Sequence, residues 1–322
     1  MITIYTILQK QLKLLCLIIM IILSSVIFHS CGLFDKELKQ DKHIARFRYQ
    51  LSRVQDSIDS HKNRALAYST IISNINTDKA LISDRKKNIL LVEGYVYISN
   101  EYLDAKNFEK ALRYADTVVN ISPASPLGYY SKGCIYQITE EDSLALINYN
   151  KAIKLNAGYT DAYYNRGIVH EHLEEYDKAL ADYNRALKLN PSYIADIYIN
   201  RGNVYLAKEV FDKAIEDYTR VIDMDTTNIK AYLNRAETYT QQKTFDKALK
   251  DYDKAITLDS VNISSYINRA SVFELMKEYN KAIGDYEKIT ELDYLNKLGI
   301  NSIAISAIER LQSLATKNKK NG

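Results

Sequence analysis

The phrase Tyr-x-Asn-Arg followed by Gly or Ala recurs at Tyr163–Gly167, Tyr198–Gly202, Tyr232–Ala236 and Tyr266–Ala270, at spacings of 35, 34 and 34 residues. A chain that repeats itself at this period is built from like units. One such unit cannot bury its own apolar face, so the units have to stack. Extending the register in both directions gives six units, at about 92–125, 126–159, 160–194, 195–228, 229–262 and 263–296.

Within a unit the fourth residue is always Tyr: Tyr95, Tyr129, Tyr163, Tyr198, Tyr232 and Tyr266. The eighth is small, from Ser99 and Gly133 through Gly167 and Gly202 to Ala236 and Ala270, and the twentieth is always Ala, from Ala111 to Ala282. The eleventh is aromatic except for His170, and the twenty-fourth is Tyr except for Ala115. Positions 4, 8 and 11 share one face of a first helix, and positions 20, 24 and 27 share one face of a second. Polar turns such as Leu173–Lys178 and Gln242–Lys247 are too short to join anything but antiparallel neighbours. Small residues at 8 and 20 let the two helices approach closely, and the aromatic rings fill the gaps between pairs. With only 3 Pro and 10 Gly in 322 residues, the chain has few helix breakers and is expected to be almost wholly helical.

These positions resemble the tetratricopeptide repeat over residues 92–296. The family pattern has an aromatic at 4, Gly or Ala at 8, Tyr at 11, Ala at 20, an aromatic at 24, Ala at 27 and Pro at 32. The sequence departs from it in carrying Arg or Lys at position 7 in units two to six, in keeping Pro at 32 only as Pro123 and Pro191, and in adding Ile194 to one turn. The resemblance implies an all-α solenoid, a right-handed superhelix of antiparallel helix pairs with a concave groove. Positions 2, 5, 6, 9, 12 and 13 of the first helices line the groove in that family. Carried over, the groove residues are Tyr97, Tyr130, Tyr164, Asn165, Asn200, Asn203, Asn234 and Asn268.

Asn at position 6 admits two readings. Its carboxamide can donate to a main-chain carbonyl and accept from an N–H at once, which suits an extended peptide of any sequence. It can equally bond to the neighbouring repeat and serve as a joint. Arg at position 7 reads as a joint that covers aromatic faces.

Outside the repeats, residues 31–91 read as a tether and helical lead-in, with helical patterning at 43–58 and 64–75. Residues 297–316 read as a capping helix over the last open face, and 317–322 as a basic tail. The first 34 residues contain no acid. Lys10 and Lys13 precede the apolar run Leu14–Phe28, which marks residues 1–30 as a secretory signal peptide. Cys31, after Ser30, resembles the lipidated cysteine of bacterial lipoproteins, although Phe28 and His29 stand where Leu and a small residue are usual. An uncleaved membrane anchor is the other reading, and both place the chain outside the cytoplasm. Of 3 Cys, Cys16 lies in the leader and Cys31 would carry lipid, which leaves Cys134 without an intrachain disulfide partner.

Forty-three basic residues against 40 acidic ones, a net charge of +3, and interleaved signs give no basic face for nucleic acid. His170 and His172 flank Glu171, but residues two apart on a helix point about 200° from one another, whereas a helical zinc pair sits at i and i+4. No phosphate loop, GxSxG or CxxC occurs. The expectation is a non-enzymatic protein–protein interaction scaffold or adaptor of the bacterial cell envelope, without cofactor or metal. It would be held at the membrane by its N-terminal lipid as an outer-membrane lipoprotein, on the periplasmic side or at the cell surface. The alternative is a glycan- or small-ligand-binding lipoprotein that stacks sugar rings on Tyr130 and Tyr164.

Overall fold

The computed structural model describes residues 42–58, 60–77, 84–294 and 299–321. The leader 1–30 and Cys31 lie outside the described residues. The described residues form fifteen helices and no strand. In chain order these are α1 (Lys42–Ser57), α2 (His61–Thr77), α3 (Asp84–Asp104), α4 (Phe108–Ile121), α5 (Pro126–Ile138), α6 (Asp142–Leu155) and α7 (Thr160–His172). There follow α8 (Tyr176–Lys188), α9 (Ile194–Ala207), α10 (Phe211–Met224), α11 (Ile229–Gln241), α12 (Phe245–Leu258), α13 (Ile263–Leu275), α14 (Tyr279–Leu292) and α15 (Asn301–Asn321). The chain divides into two compact units at Leu173/Glu174, between α7 and α8.

In the first unit, α3 pairs with α4 and α5 with α6, and successive pairs stack through α4 on α5 and α6 on α7. Close approach of the pairs depends on the eighth residue. Ser99 Oγ donates to the Ala111 carbonyl at 2.9 Å across α3 and α4. At Gly133 a β-carbon would stand 2.5 Å from the Tyr149 ring, so that ring lies directly on the glycine backbone. Turns between paired helices close in one way throughout. Lys106 and Glu140, and in the second unit Glu209, Lys243 and Lys277, take φ of 57–62°. The next amide then bonds back to the aromatic carbonyl at position 11, as in Glu141 N to Tyr136 O at 2.8 Å and Val210 N to Tyr205 O at 2.8 Å.

The lead-in packs as part of this unit. Ile44, Phe47 and Leu51 of α1, Tyr68, Ile72 and Ile75 of α2, and Leu90 and Ile98 of α3 share one buried cluster. Tyr68 stacks on Tyr97 with ring centroids 5.1 Å apart. Buried Glu101 accepts from Arg64 Nε at 2.8 Å and Gln55 Nε2 at 3.3 Å, and Arg48 pairs with Glu93. Helix α3 begins at Asp84, two turns ahead of Val92, because Leu90 and Leu91 are needed to bury this lead-in.

In the second unit α9 pairs with α10, α11 with α12 and α13 with α14, stacking in the same order. The last helix corrects two sequence expectations. It begins at Asn301 rather than 297, because Asp293 stays in the turn and its carboxylate accepts from Ile300 N at 3.2 Å, while Gly299 takes φ of 69°. It then runs to Asn321, so the helix extends past 316 into the basic tail. Ala304 packs with Tyr266 and Ile289, and Leu311 with Ala270 and Ala282. Val272 occupies the same seat against Ala236 and Ala248, so α15 stands where the first helix of a further unit would stand. On its far side the close-packing residues of a complete unit are missing: Glu309 and Gln312 are exposed there. Glu309 and Gln312 stand at the eighth and eleventh positions of that face, with Ile305 exposed at the fourth, so no further unit can close on it as the others do.

Candidate functional site: the inner row of first helices

Within each unit, first helices touch one another: α3 with α5 and α5 with α7 in the first, α9 with α11 and α11 with α13 in the second. In each unit these helices carry the sequence-derived groove residues, and the repeated Asn-Arg divides its labour between packing and presentation.

The Arg is a joint. Arg201 gives Nε to Asp217 at 2.8 Å and Nη2 to the other oxygen at 2.6 Å, and Nη1 to Asn184 of the preceding repeat at 2.5 Å. Arg235 repeats this with Asp251 (2.7 and 2.8 Å) and Thr219 (3.0 Å), and Arg269 with Asp285 (2.9 and 2.5 Å) and Asp253 (2.6 Å). In the first unit Arg166 donates to Asn150, and Lys132 reaches Asp116 at 2.7 Å. So position 7 bonds positions 23 and 25 of adjoining second helices, a fork that only a planar guanidinium serves fully. Its flat face covers aromatic rings, with Arg201 5.3 Å from the Tyr198 centroid and Arg269 5.7 Å from Tyr266. The hydrogen bonds it gives Asp285 hold the Arg269 guanidinium above its ordinary value. Burial pushes the Asp217 carboxyl up, against the pull of Arg201.

The Asn residues are half joint. Asn165 Nδ2 donates to Tyr130 Oη at 3.0 Å and lies 3.5 Å from Cys134 Sγ in the preceding repeat. Asn234 Nδ2 donates to Asn203 Oδ1 at 2.9 Å. Asn200 and Tyr164 are half-buried. Asn268 is half-buried and has no side-chain partner among the described residues. Tyr130 packs its ring against Tyr159 (4.8 Å) and Tyr149 (6.0 Å), and burial raises its phenol well above the usual value. That packing weakens it as a platform for a sugar ring. Tyr97 is turned to other work, stacked on the lead-in Tyr68, and burial followed by Glu93 pushes its phenol up to about 12.

Of the paired histidines, His170 is buried at position 11, and His172 Nδ1 lies 2.7 Å from Asp142 Oδ2. Among the described residues no three His, Cys, Asp or Glu side chains gather as a metal would require.

The sequence reading passed over the position-24 tyrosines as groove residues. Four of the rings are buried and Tyr286 is half-buried, and three of the hydroxyls bond to side chains of the first helices: Tyr149 Oη donates to Gln137 Oε1 at 2.6 Å, Tyr218 Oη to Asn203 Oδ1 at 2.8 Å and Tyr286 Oη to Glu274 Oε1 at 2.9 Å. The signal in the sequence is that five units carry Tyr here and none carries Phe.

No curated protein matches the sequence. Among solved structures, PilF of Pseudomonas aeruginosa is 18% identical with a TM-score of 0.57, over 70% of this chain and 98% of that one. PilW, described as a widely conserved type IV pilus biogenesis factor, is 15% identical with a TM-score of 0.55, over 69% and 98%. YrrB, described as a TPR protein with an unusual peptide-binding site, is 18% identical with a TM-score of 0.50, over 61% and 97%. These likenesses concern the fold. The sequence pattern of the tetratricopeptide repeat matches at residues 128–159, 160–193, 195–228, 229–260 and 263–294, together just over half of the chain. With the stacked helix pairs and the small and aromatic positions that close them, this makes the chain a member of the tetratricopeptide repeat family.

Proposed function

We propose that this chain is a non-enzymatic scaffold of the bacterial cell envelope that holds an extended segment of a partner protein along its inner row. The observation that carries the reading is the division of labour at Asn-Arg. Arg is consumed by bonds between helices, whereas Asn165 and Asn234 are bonded through the amide nitrogen alone and Asn268 is unpaired among the described residues. Carboxamides with free hydrogen-bonding capacity suit the alternating carbonyls and amides of an extended chain. One of the similar structures, PilW, is described as a pilus biogenesis factor, which is consistent with an assembly role.

A photo-reactive phenylalanine analogue placed at Asn268 tests this in cells. It is expected to crosslink a discrete protein partner on irradiation, while the same group at exposed Lys254 on α12 gives none. Equal crosslinking from both positions, or from Lys254 alone, would move the binding face elsewhere.

The same proposal has the chain exported and anchored by lipid on Cys31. Radiolabelled palmitate is expected to enter the wild type and to be lost in Cys31→Ala. Label retained in that variant defeats the lipid anchor.

A further inference from the structure

The hydroxyls of Tyr149 and Tyr218 are not needed to fill the core, since each buried ring would do so equally well as Phe, although the Tyr149 hydroxyl also bonds with Cys134 and Asn165. Each instead gives its proton to a carboxamide oxygen on the inner row, Gln137 Oε1 at 2.6 Å and Asn203 Oδ1 at 2.8 Å. Asn203 Oδ1 accepts a second proton from Asn234 Nδ2 at 2.9 Å. Both oxygens are therefore engaged from within the protein, and the amide nitrogens Gln137 Nε2 and Asn203 Nδ2 have no partner among the described residues. Neither nitrogen is buried without a partner, so water reaches both. An amide held by its oxygen cannot turn over to present that oxygen, so the row shows a donor of fixed polarity at these two places.

We propose that Tyr149 in the first unit and Tyr218 in the second are positioning residues, holding Gln137 and Asn203 so that each offers its amide N–H to a main-chain carbonyl of an extended partner segment bound at its own unit. This rests on the groove reading above and adds to it a direction. The ligand group is a carbonyl acceptor, and the orienting residue lies beneath the surface that touches it.

The test uses the full chain in detergent and a library of random peptides displayed on phage. Binders selected on the wild type are remade singly with each amide replaced by an ester, which weakens the preceding carbonyl as an acceptor, and are measured by calorimetry. Tyr218→Phe keeps the ring and is expected to weaken a selected peptide about fivefold to tenfold, the worth of one hydrogen bond. One ester position should weaken wild-type binding to a similar degree and have no further effect in Tyr218→Phe, a coupling that purely structural damage does not produce. Asn203→Asp retains the oxygens that accept from Tyr218 and Asn234 but loses the donor, and should match or exceed that loss. It decides the matter if Tyr218→Phe does not fold. Peptides bound equally by wild type and both variants, or ester and Phe effects that simply add, would overturn the positioning role and leave the scaffold reading standing. A library that yields no binder would overturn the groove reading itself.

Discussion

Gly202→Val is expected to lower stability by about 3 kcal/mol, measured by urea unfolding, the largest effect anticipated from a single small substitution. A β-carbon at this position would lie 2.6 Å from Tyr218 Cε1 and 2.9 Å from Cζ. Those are atoms of a rigid, fully buried ring rather than the far end of a mobile side chain. The ring cannot retreat without dragging its hydroxyl from Asn203 and opening the seam between α9 and α10. Helix propensity works the other way, since replacing glycine in a helix favours folding by up to ~1 kcal/mol. The contrast is Gly284 on α14, where an added β-carbon meets nothing within 4 Å. Gly284→Ala is expected to stabilise the chain by up to ~1 kcal/mol, so two helical glycines respond with opposite sign. In the fifth and sixth units Ala236 and Ala270 occupy the eighth position, with Tyr252 buried and Tyr286 half-buried, so the pair can close over a single β-carbon and the two further methyls of valine carry the expected cost. If Gly202→Val unfolds at the wild-type midpoint, close approach at position 8 does not hold the pair together.

Asp217→Ala is expected to cost about 2–3 kcal/mol, because it strands a guanidinium whose side chain is only 17% exposed. Arg201 would keep Asn184 and the faces of Tyr198 and Tyr205, which holds the loss below that of a fully buried charge. Taking two charges out of water offsets much of their attraction: burial pushes the Asp217 carboxyl up, although its hydrogen bonds hold the Arg201 guanidinium up. Replacing both partners, as Arg201→Met with Asp217→Leu, should therefore fall within about 1 kcal/mol of wild type. Chemical denaturation of the single and double variants separates these outcomes. A single variant within about 0.5 kcal/mol of wild type would remove Arg from the joint.

The repeat was legible because its determinants are local and periodic. Tyr at 4, a small residue at 8 and Ala at 20 fix two helix faces and the distance between them before any tertiary contact is known. The joint was half legible: Arg at 7 reads as covering rings, but its fork to positions 23 and 25 depends on which second helices adjoin it. The Asn ambiguity persisted for the same reason, since Asn234 finds Asn203 thirty-one residues away, across a repeat boundary. Periodicity also misplaced the cap. It located an amphipathic stretch but missed the Asp293 carboxylate, which accepts from Ile300 N just ahead of the helix start at Asn301. The hydroxyls at position 24 went unread because a pattern of aromatics does not separate Tyr from Phe.

The most direct test of the account is a crosslinked pull-down from detergent-solubilised envelopes, with wild type beside the Asn165/Asn200/Asn234→Ala triple variant. The triple variant is expected to lose the protein that wild type recovers while remaining folded, its melting temperature lower by a few degrees for the bonds lost at Asn165 and Asn234. The same protein recovered by both, with the variant melting much earlier, would make the Asn row a joint like the Arg and leave the inner row without a partner to hold.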